Sequence, residues 1–557
     1  MAGIAAASVV AFVVVAAILL TSRTAPPAAY AYVPAGAQVV AELRPELSGD
    51  QRANIGELLS HFPGFADQSI LDTKIDEALN RIIDRLSGQD VDYVHDVKPY
   101  LAGPVVVATT GPGATTPAAA GLPDGIVVVL STNGAVGCGT LGAGSTTTTH
   151  AGHAVVLVDD ATLGQVACSQ DGSQLVVGRE VALDLALDTH AAKTGIDRDP
   201  AFTAAAAAVP ADRLAFAYVS KAALLGSTAV GQAASAIDPS VLPDWLGVTV
   251  RAEGDGLVAD ALVPEPAAAG ASPTPSVAPT DSFPTLGPAK ASTLAQHLPA
   301  TTVAAFEQRS TGVVIRDLLG TASRLGPTVA PAVDQVRSAF NLVGGLDSFL
   351  EWIGDATVVV TKDGGAYGGG LVIETGSAEP KAKAKLDQLV SFLRFAGAAS
   401  GFTVSDAPYG AGTVTTIGVS RNVIAGQLSP EQAAILPERI DVSYTTQGGL
   451  AVFGIGDRFV KSVVDTKPGS SLADQARYAR ALQLAGATNT GQVYLDIPAV
   501  VDPIVASLDP TNRALYEREY KPYVTPLDAV ALTAGRDGPN LHLRLAFAVR
   551  DTRTTNQ

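Results

Sequence analysis

The chain has 557 residues and carries 37 Lys and Arg against 54 Asp and Glu, a formal charge of −17. That balance excludes a nucleic-acid partner, which needs clustered cations. Hydrophobic residues reach 47% and charged residues only 16%, the opposite of a disordered chain, and two cysteines exclude a disulfide-dense scaffold, a Cys-rich zinc module or a cysteine-ligated iron–sulfur cluster.

The first element is apolar. Residues Ile4 to Leu20 contain no charged side chain, and at about 1.5 Å per residue the run approaches the roughly 30 Å hydrocarbon core of a bilayer. Arg23, Pro26 and Pro27 end it. No Lys or Arg precedes it, as one would in a signal peptide. Residues 1–23 are therefore expected to form an uncleaved, single-pass transmembrane anchor, with the N-terminus cytoplasmic and the rest extracytoplasmic. Cleavage at Ala29-Tyr30-Ala31 is the alternative.

Beyond the anchor the chain is written twice. Val33 to Arg44 returns as Leu298 to Arg309, and Tyr100 to Val107 as Trp352 to Val359. Asp171 to Gly178 returns as Gln447 to Gly454, Leu187-Asp188-Thr189 as Val464-Asp465-Thr466, and Val248 to Leu262 as Leu532 to Phe547. Tyr218 falls on Tyr494. The matches keep their order, so we expect two tandem, internally duplicated domains at 24–264 and 290–550. A Pro/Ser-rich linker covers 265–289 and a tail 551–557.

Within each copy, helical and strand signals are segregated. Leu71, Ile75, Ala78, Leu79, Ile82, Ile83 and Leu86 share one helical face. Pro380 in a first turn opens a helix carrying Leu386, Leu389, Val390, Leu393 and Phe395. Copy one has no such helix at that place; Asn133 to Gly152 reads as a Gly/Thr loop. Asp-Gly at 171, 255, 363 and 537 marks hairpin turns. The fold class is thus α+β, with antiparallel sheets and helices packed on them.

Reactive motifs are weak. Gly137 to Gly142 spells G-x-G-x-x-G, but a polar β-branched run follows where a dinucleotide site needs a helix. His150 and His153 are spaced H-x-x-H in the same segment without obvious further ligands. No cofactor or metal is expected. Cys138 and Cys168 would close a loop of about 30 residues if oxidised; two separate buried thiols are the alternative.

The candidate binding residues are polar pairs and aromatics. Glu42-x-Arg44 and Glu307-x-Arg309 occupy the same register in both copies. On a strand such neighbours project from one face, which reads as a sheet-surface ion pair or strand-end clamp. A general acid/base role is disfavoured, because an arginine partner lowers a carboxylate pKa. Phe62 and Phe65 flank a Pro-Gly turn, where they seal a core edge, line an apolar groove or touch the membrane surface. Lys381, Lys383 and Lys385 form a small basic patch, read as a solvated face.

Gly36 to Ile83, with Ala41-Glu42-Leu43-Arg44, Gly49-Asp50-Gln51 and His61-Phe62-Pro63-Gly64-Phe65, resembles a membrane-anchored actinobacterial envelope family catalogued only as a domain of unknown function (family 3352). The resemblance implies an envelope protein from a high-GC bacterium and transfers no catalytic residue. The expected function is non-catalytic binding of a lipid, envelope ligand or protein partner outside the membrane; an envelope hydrolase and a structural spacer are the alternatives.

Overall fold

Alternation of buried and half-exposed positions decides the strands. In β1 (Val39–Leu43), Val40 and Glu42 are buried while Val39, Ala41 and Leu43 are half-exposed, the period of two that turns one face to a core. The structure is a computed structural model describing residues 27–44, 49–65, 67–87, 92–110, 123–134, 137–138, 145–160, 164–226, 242–254, 256–264, 287–322, 330–397, 401–425, 431 and 437–550. The expected anchor at 1–23, nearly all of the 265–289 linker and the 551–557 tail lie outside the described residues. Among the described residues no helix is long and apolar enough to cross a membrane.

Residues 27–264 form the body of one compact unit and residues 287–536 the body of another. Each is α+β with an antiparallel sheet. The first unit adds β2 (Leu101–Thr109), β3 (Ile126–Thr132), β4 (Thr146–His150), β5 (His153–Asp160), β6 (Gly164–Asp171), β7 (Gln174–Gly178), β8 (Ala215–Ser220), β9 (Trp245–Glu253) and β10 (Gly256–Pro264). Their order is β4-β5-β6-β7-β3-β2-β1-β8-β9-β10. The second unit holds β11 (Thr302–Gln308), β12 (Ala356–Asp363), β13 (Ala366–Glu374), β14 (Phe402–Tyr409), β15 (Gly412–Ser420), β16 (Arg439–Gln447), β17 (Leu450–Ile455), β18 (Gly491–Asp496) and β19 (Leu527–Asp537), with β20 (Asn540–Val549) following. Here the order is β14-β15-β16-β17-β13-β12-β11-β18-β19. Strand for strand, it repeats the first nine of the other unit.

Registers align as closely as the order. Val40 stands opposite Tyr218, and Ala305 opposite Tyr494. One stretch corrects the sequence match. Val107 stands opposite Ala41, whereas Val358, not Val359, stands opposite Phe306 in the corresponding place. The slip has a local cause, because the register of β2 is irregular between Leu101 and Val105.

Helices cover the sheets. In the first unit α1 (Gly49–Ser60) and α2 (Leu71–Ser87) precede β2, while α3 (Glu180–Ala192) and α4 (Pro200–Ala208) lie between β7 and β8. Leu71, Ile75 and Leu79 are buried along α2, at the predicted spacing. Leu183, Ala186 and Leu187 of α3 and Phe202 and Ala205 of α4 enter one core with Val40, Val106 and Val129. The second unit places α5 (Thr311–Ala322) and α6 (Ala330–Ala339) before β12, and α7 (Glu379–Ala396) after β13. Between β17 and β18 lie α8 (Asp457–Asp465) and α9 (Ala476–Ala485), and α10 (Ile497–Ser507) follows β18. Pro380 does sit in the first turn of α7, and Ala382, Leu386 and Val390 are its buried stripe. Leu389 and Phe395, expected on that stripe, are exposed.

Turns fall where Asp-Gly predicts. Gly172, Gly364 and Gly538 take left-handed φ of 58°, 56° and 57° between β6–β7, β12–β13 and β19–β20; Asp255 lies outside the described residues. The Asn133–Gly152 loop is corrected in its second half. Thr146–His150 pairs with His153–Leu157 as the β4–β5 hairpin, because four consecutive β-branched threonines favour extended backbone. Gly139 to Gly142 of the glycine motif lie outside the described residues.

Cys138 and Cys168 are joined in a disulfide, with Cα atoms 5.6 Å apart and a separation of 30 positions in sequence. Both sulfurs are buried against Leu175, Leu130 and Val177. Closing a loop of that length stabilises by about 3–4 kcal/mol through chain entropy. The Cys138→Ala, Cys168→Ala double variant should therefore lose that much in the first unit. Trp245 is the buried tryptophan of that unit and Trp352 of the other, so urea unfolding in a Trp352→Phe background reads the first unit alone.

Candidate functional site

Glu42 and Arg44 project from one face of β1 because they are two residues apart. β1 is an interior strand, bonded to β2 and β8, and this face turns into the core. Glu42 is fully buried and Arg44 nearly so. The expected surface pair is thus a core pair. The cover comes from the segment Ala28–Tyr32 and from α4: Tyr30 packs edge-on against Phe202 at 4.8 Å and donates its hydroxyl to Glu42 Oε2.

Two arginines share that carboxylate. Arg44 Nε donates to Oε1 and its Nη1 to the Ala211 carbonyl at 3.0 Å. Arg213 Nη2 donates to Oε2 at 2.8 Å and its Nη1 to the Pro210 carbonyl at 3.0 Å, while its guanidinium lies 4.8 Å from the Phe216 ring centre. Burial by itself pushes the Glu42 carboxyl up, but Arg213, Arg44 and the Tyr30 hydroxyl outweigh it and hold the pKa below its ordinary 4.5. Burial, and then the Glu42 charge, push the Tyr30 phenol well above 10.0.

Glu307 and Arg309 repeat the pair on β11, between β12 and β18, and are as deeply buried. The second arginine is missing, since the sequence match puts Asn489 in the place of Arg213. Glu307 instead accepts from Ser292 Oγ at 2.7 Å and Gln492 Nε2 at 3.0 Å, besides its ion pair with Arg309. Arg309 Nη2 donates to Asn489 Oδ1 at 3.2 Å. A second buried acid, Asp355, pairs with Lys290 Nζ at 2.9 Å. Burial is the dominant effect here, Asp355 adds to it, and Arg309, Ser292 and Lys290 do not offset them. Glu307 is therefore raised above 4.5, which corrects the expectation that an arginine partner lowers it. Closed off in this way, the two clusters brace strands and present no acid or base to a substrate.

The aromatic pair lies on a different element. Phe62 and Phe65 are half-buried in the turn after α1, beside buried His61, where Gly64 takes φ +86°.

His150 and His153 face each other across the β4–β5 turn and meet carboxylates. His150 Nε2 lies 2.9 Å from Asp188 Oδ1, and its Nδ1 3.5 Å from Asp184 Oδ2. Asp171 Oδ2 accepts from the Tyr32 hydroxyl at 2.7 Å and lies 3.5 Å from His190 Nε2 and 3.9 Å from His153 Nε2. Among the described residues no three such side chains are arranged to hold a metal ion. The second unit ties its hairpin to its helix at the matching place, with Tyr409 donating to Asp465 at 2.6 Å and Lys461 Nζ 5.3 Å from the Tyr409 ring centre. The histidine cluster is a hairpin-to-helix clamp of the same kind.

Sequence reasoning missed an apolar row that is exposed at Phe306 and Val358 and half-buried on either side. Leu532, Val493, Phe306, Val358 and Leu371 stand side by side across β19, β18, β11, β12 and β13. Phe306 is 55% exposed and Val358 53%. Phe306 alternates outward between buried Ala305 and Glu307, a pattern that follows only once Glu307 is known to face the core. α10 lies alongside, where Tyr367 donates to the Ala499 carbonyl at 3.1 Å, and α10 buries none of its residues.

The family described as "Protein of unknown function (DUF3352)" matches residues 1–548. The chain belongs to that family. No curated protein matches it, and no solved structure does.

Glu42 and Glu307 should titrate with opposite consequences. A depressed native pKa contributes stability that is lost as pH falls through it; a raised one contributes stability that is lost as pH rises above 4.5. Glu42→Gln also leaves two buried arginines without their charge partner, a loss of about 3–5 kcal/mol at neutral pH. That loss should shrink on acidification, whereas the effect of Glu307→Gln should grow. Urea unfolding at several pH values, read through Trp245 and Trp352 in single-tryptophan backgrounds, checks both slopes.

Proposed function

We propose that this DUF3352 protein is a membrane-anchored, extracytoplasmic, non-catalytic protein of the bacterial envelope that binds an apolar ligand through its second unit. The observation that carries the binding half is the open row around Phe306 and Val358. A buried sheet face is the rule for such residues, and an exposed contiguous apolar patch marks a contact surface. The compartment half is supported by the Cys138–Cys168 disulfide, since such bonds persist in oxidising surroundings. The uncharged run Ile4 to Leu20 supports the anchor. The repeated strand order and registers support descent of both units from one ancestral domain.

Under this reading the second unit carries the ligand and the first serves as its scaffold. The first unit carries the matching row as Val248, Ala217, Ala41, Val107 and Val128, all half-exposed, so what sets the second unit apart is the large, exposed Phe306 where the first has Ala41. An acyl chain lying across the strands would cover Phe306 and Val358.

Native mass spectrometry of the full chain, purified from membranes and stripped of detergent, should retain bound lipid. The Phe306→Ser, Val358→Ser double variant should lose most of it with little change in thermal midpoint, because both side chains already face solvent. Equal lipid retention by the variant would refute this assignment.

A further inference from the structure

Building on the reading of the Phe306–Val358 row as a ligand surface, we propose that its ligand is an amphiphile with a singly charged anionic head, which Lys362 holds at the end of an apolar lane along β12. Val358, Val360 and Lys362 alternate outward on one face of that strand. The two ends of the lane differ. At one, Ala356 is buried in a cluster with Trp352, Ile373 and Ala382. Toward the other, Val358 is 53% exposed and Val360 39%, and Lys362 follows. The four-residue advance from Val358 to Lys362 spans about 13 Å. A tail lying across the row thus leaves its head free to pass Val360 and reach the ammonium.

Lys362 stands opposite Tyr367 of β13, with its Nζ 5.9 Å from the ring centre. The Tyr367 hydroxyl donates to the Ala499 carbonyl of α10 at 3.1 Å, so the ring that steadies the ammonium is itself tied down. Among the described residues Lys362 is half-buried and meets no carboxylate, in a chain that carries 54 acids. Its neighbour Asp363 is taken by Arg458 at 2.7 Å. Half-buried Lys290, Arg251 and Arg477 each hold an acid, at 2.9, 2.6 and 2.7 Å. A charge partly withdrawn from water without a counter-charge costs free energy, and an anion carried in by the ligand offsets that cost. Lysine is a point charge without the guanidinium fork, which suits a carboxylate or phosphodiester head. In the first unit Thr109 takes the place of Val360. It is buried and accepts from the Gln38 and Val39 N–H groups at 3.2 and 3.0 Å, which closes the lane after Val107.

Calorimetric titration of the full chain, held in amphipol with detergent and co-purified lipid removed, tests the head site with decanoate and decanol below their aggregation concentrations. Decanoate should bind about ten-fold tighter than decanol, the worth of one hydrogen bond to a charged group. Lys362→Gln should bring decanoate down to the affinity of decanol and leave decanol unchanged, which also shows the variant to be folded. Lys362→Arg should keep the preference. The Phe306→Ser, Val358→Ser variant should weaken both ligands alike. Equal binding of the two by the unaltered chain, or a preference that survives Lys362→Gln, overturns the anionic head while the apolar row stands. Binding of neither ligand overturns the row and the head together.

Discussion

A carboxylate at the middle of a sheet, out of reach of water, dictates much of what surrounds it. Glu42 lies on an interior strand with the core on its side, and an isolated buried charge there would be prohibitive. Its partners must come from elsewhere in the chain, and each one fixes an element. Arg44 fixes the end of its own strand and Arg213 the entry to β8, while Tyr30 fixes the short helical turn that seals the face. The ion pair is thus a register device: a one-residue slip of β1 would carry Glu42 to the opposite face and leave the guanidiniums stranded.

The two units solve the same constraint differently. The first neutralises its carboxylate with two arginines; the second uses one arginine and a shell of neutral donors from Ser292 and Gln492, with Asn489 turned to the arginine. Swapping a guanidinium for an amide removes a full charge at the cluster while preserving hydrogen bonds. That missing charge, together with the buried Asp355 beside Glu307 and the Tyr30 hydroxyl on Glu42, displaces the two carboxylates in opposite directions from the ordinary value. The clamps between hairpin and helix diverge in the same manner, imidazole to carboxylate in one and phenol to carboxylate in the other.

Much of this was legible in the residues. Asp-Gly turns, the Leu71–Ile75–Leu79 stripe and the recurrence of Glu-x-Arg gave the α+β class, the turn positions and the strand that holds each cluster. The sequence could not say that the pair was buried, because burial depends on β2 and β8 flanking β1, and those contacts are long-range. Nor could it supply Arg213 or Tyr30, whose matching places in the second unit hold residues of another type. The Thr146–Thr149 run reads as loop from the Gly/Thr composition around it, although its β-branching favours strand. The outward pattern of Phe306 was readable once its strand was known to be interior, since only then does an exposed phenylalanine become conspicuous.

The strand at the heart of each sheet is also the first to be made. Glu42 and its second arginine are 171 residues apart, and Glu307 and Gln492 are 185 apart. A nascent chain leaving a ribosome or a translocation pore would therefore expose its central β1 or β11 unpaired on one edge until nearly the whole unit had emerged. Assembly of such non-local sheets is slow, and unpaired edges invite wrong partners. Holding the key charge on the earliest strand penalises premature closure around it, so a partly synthesised unit stays open until its last strands arrive.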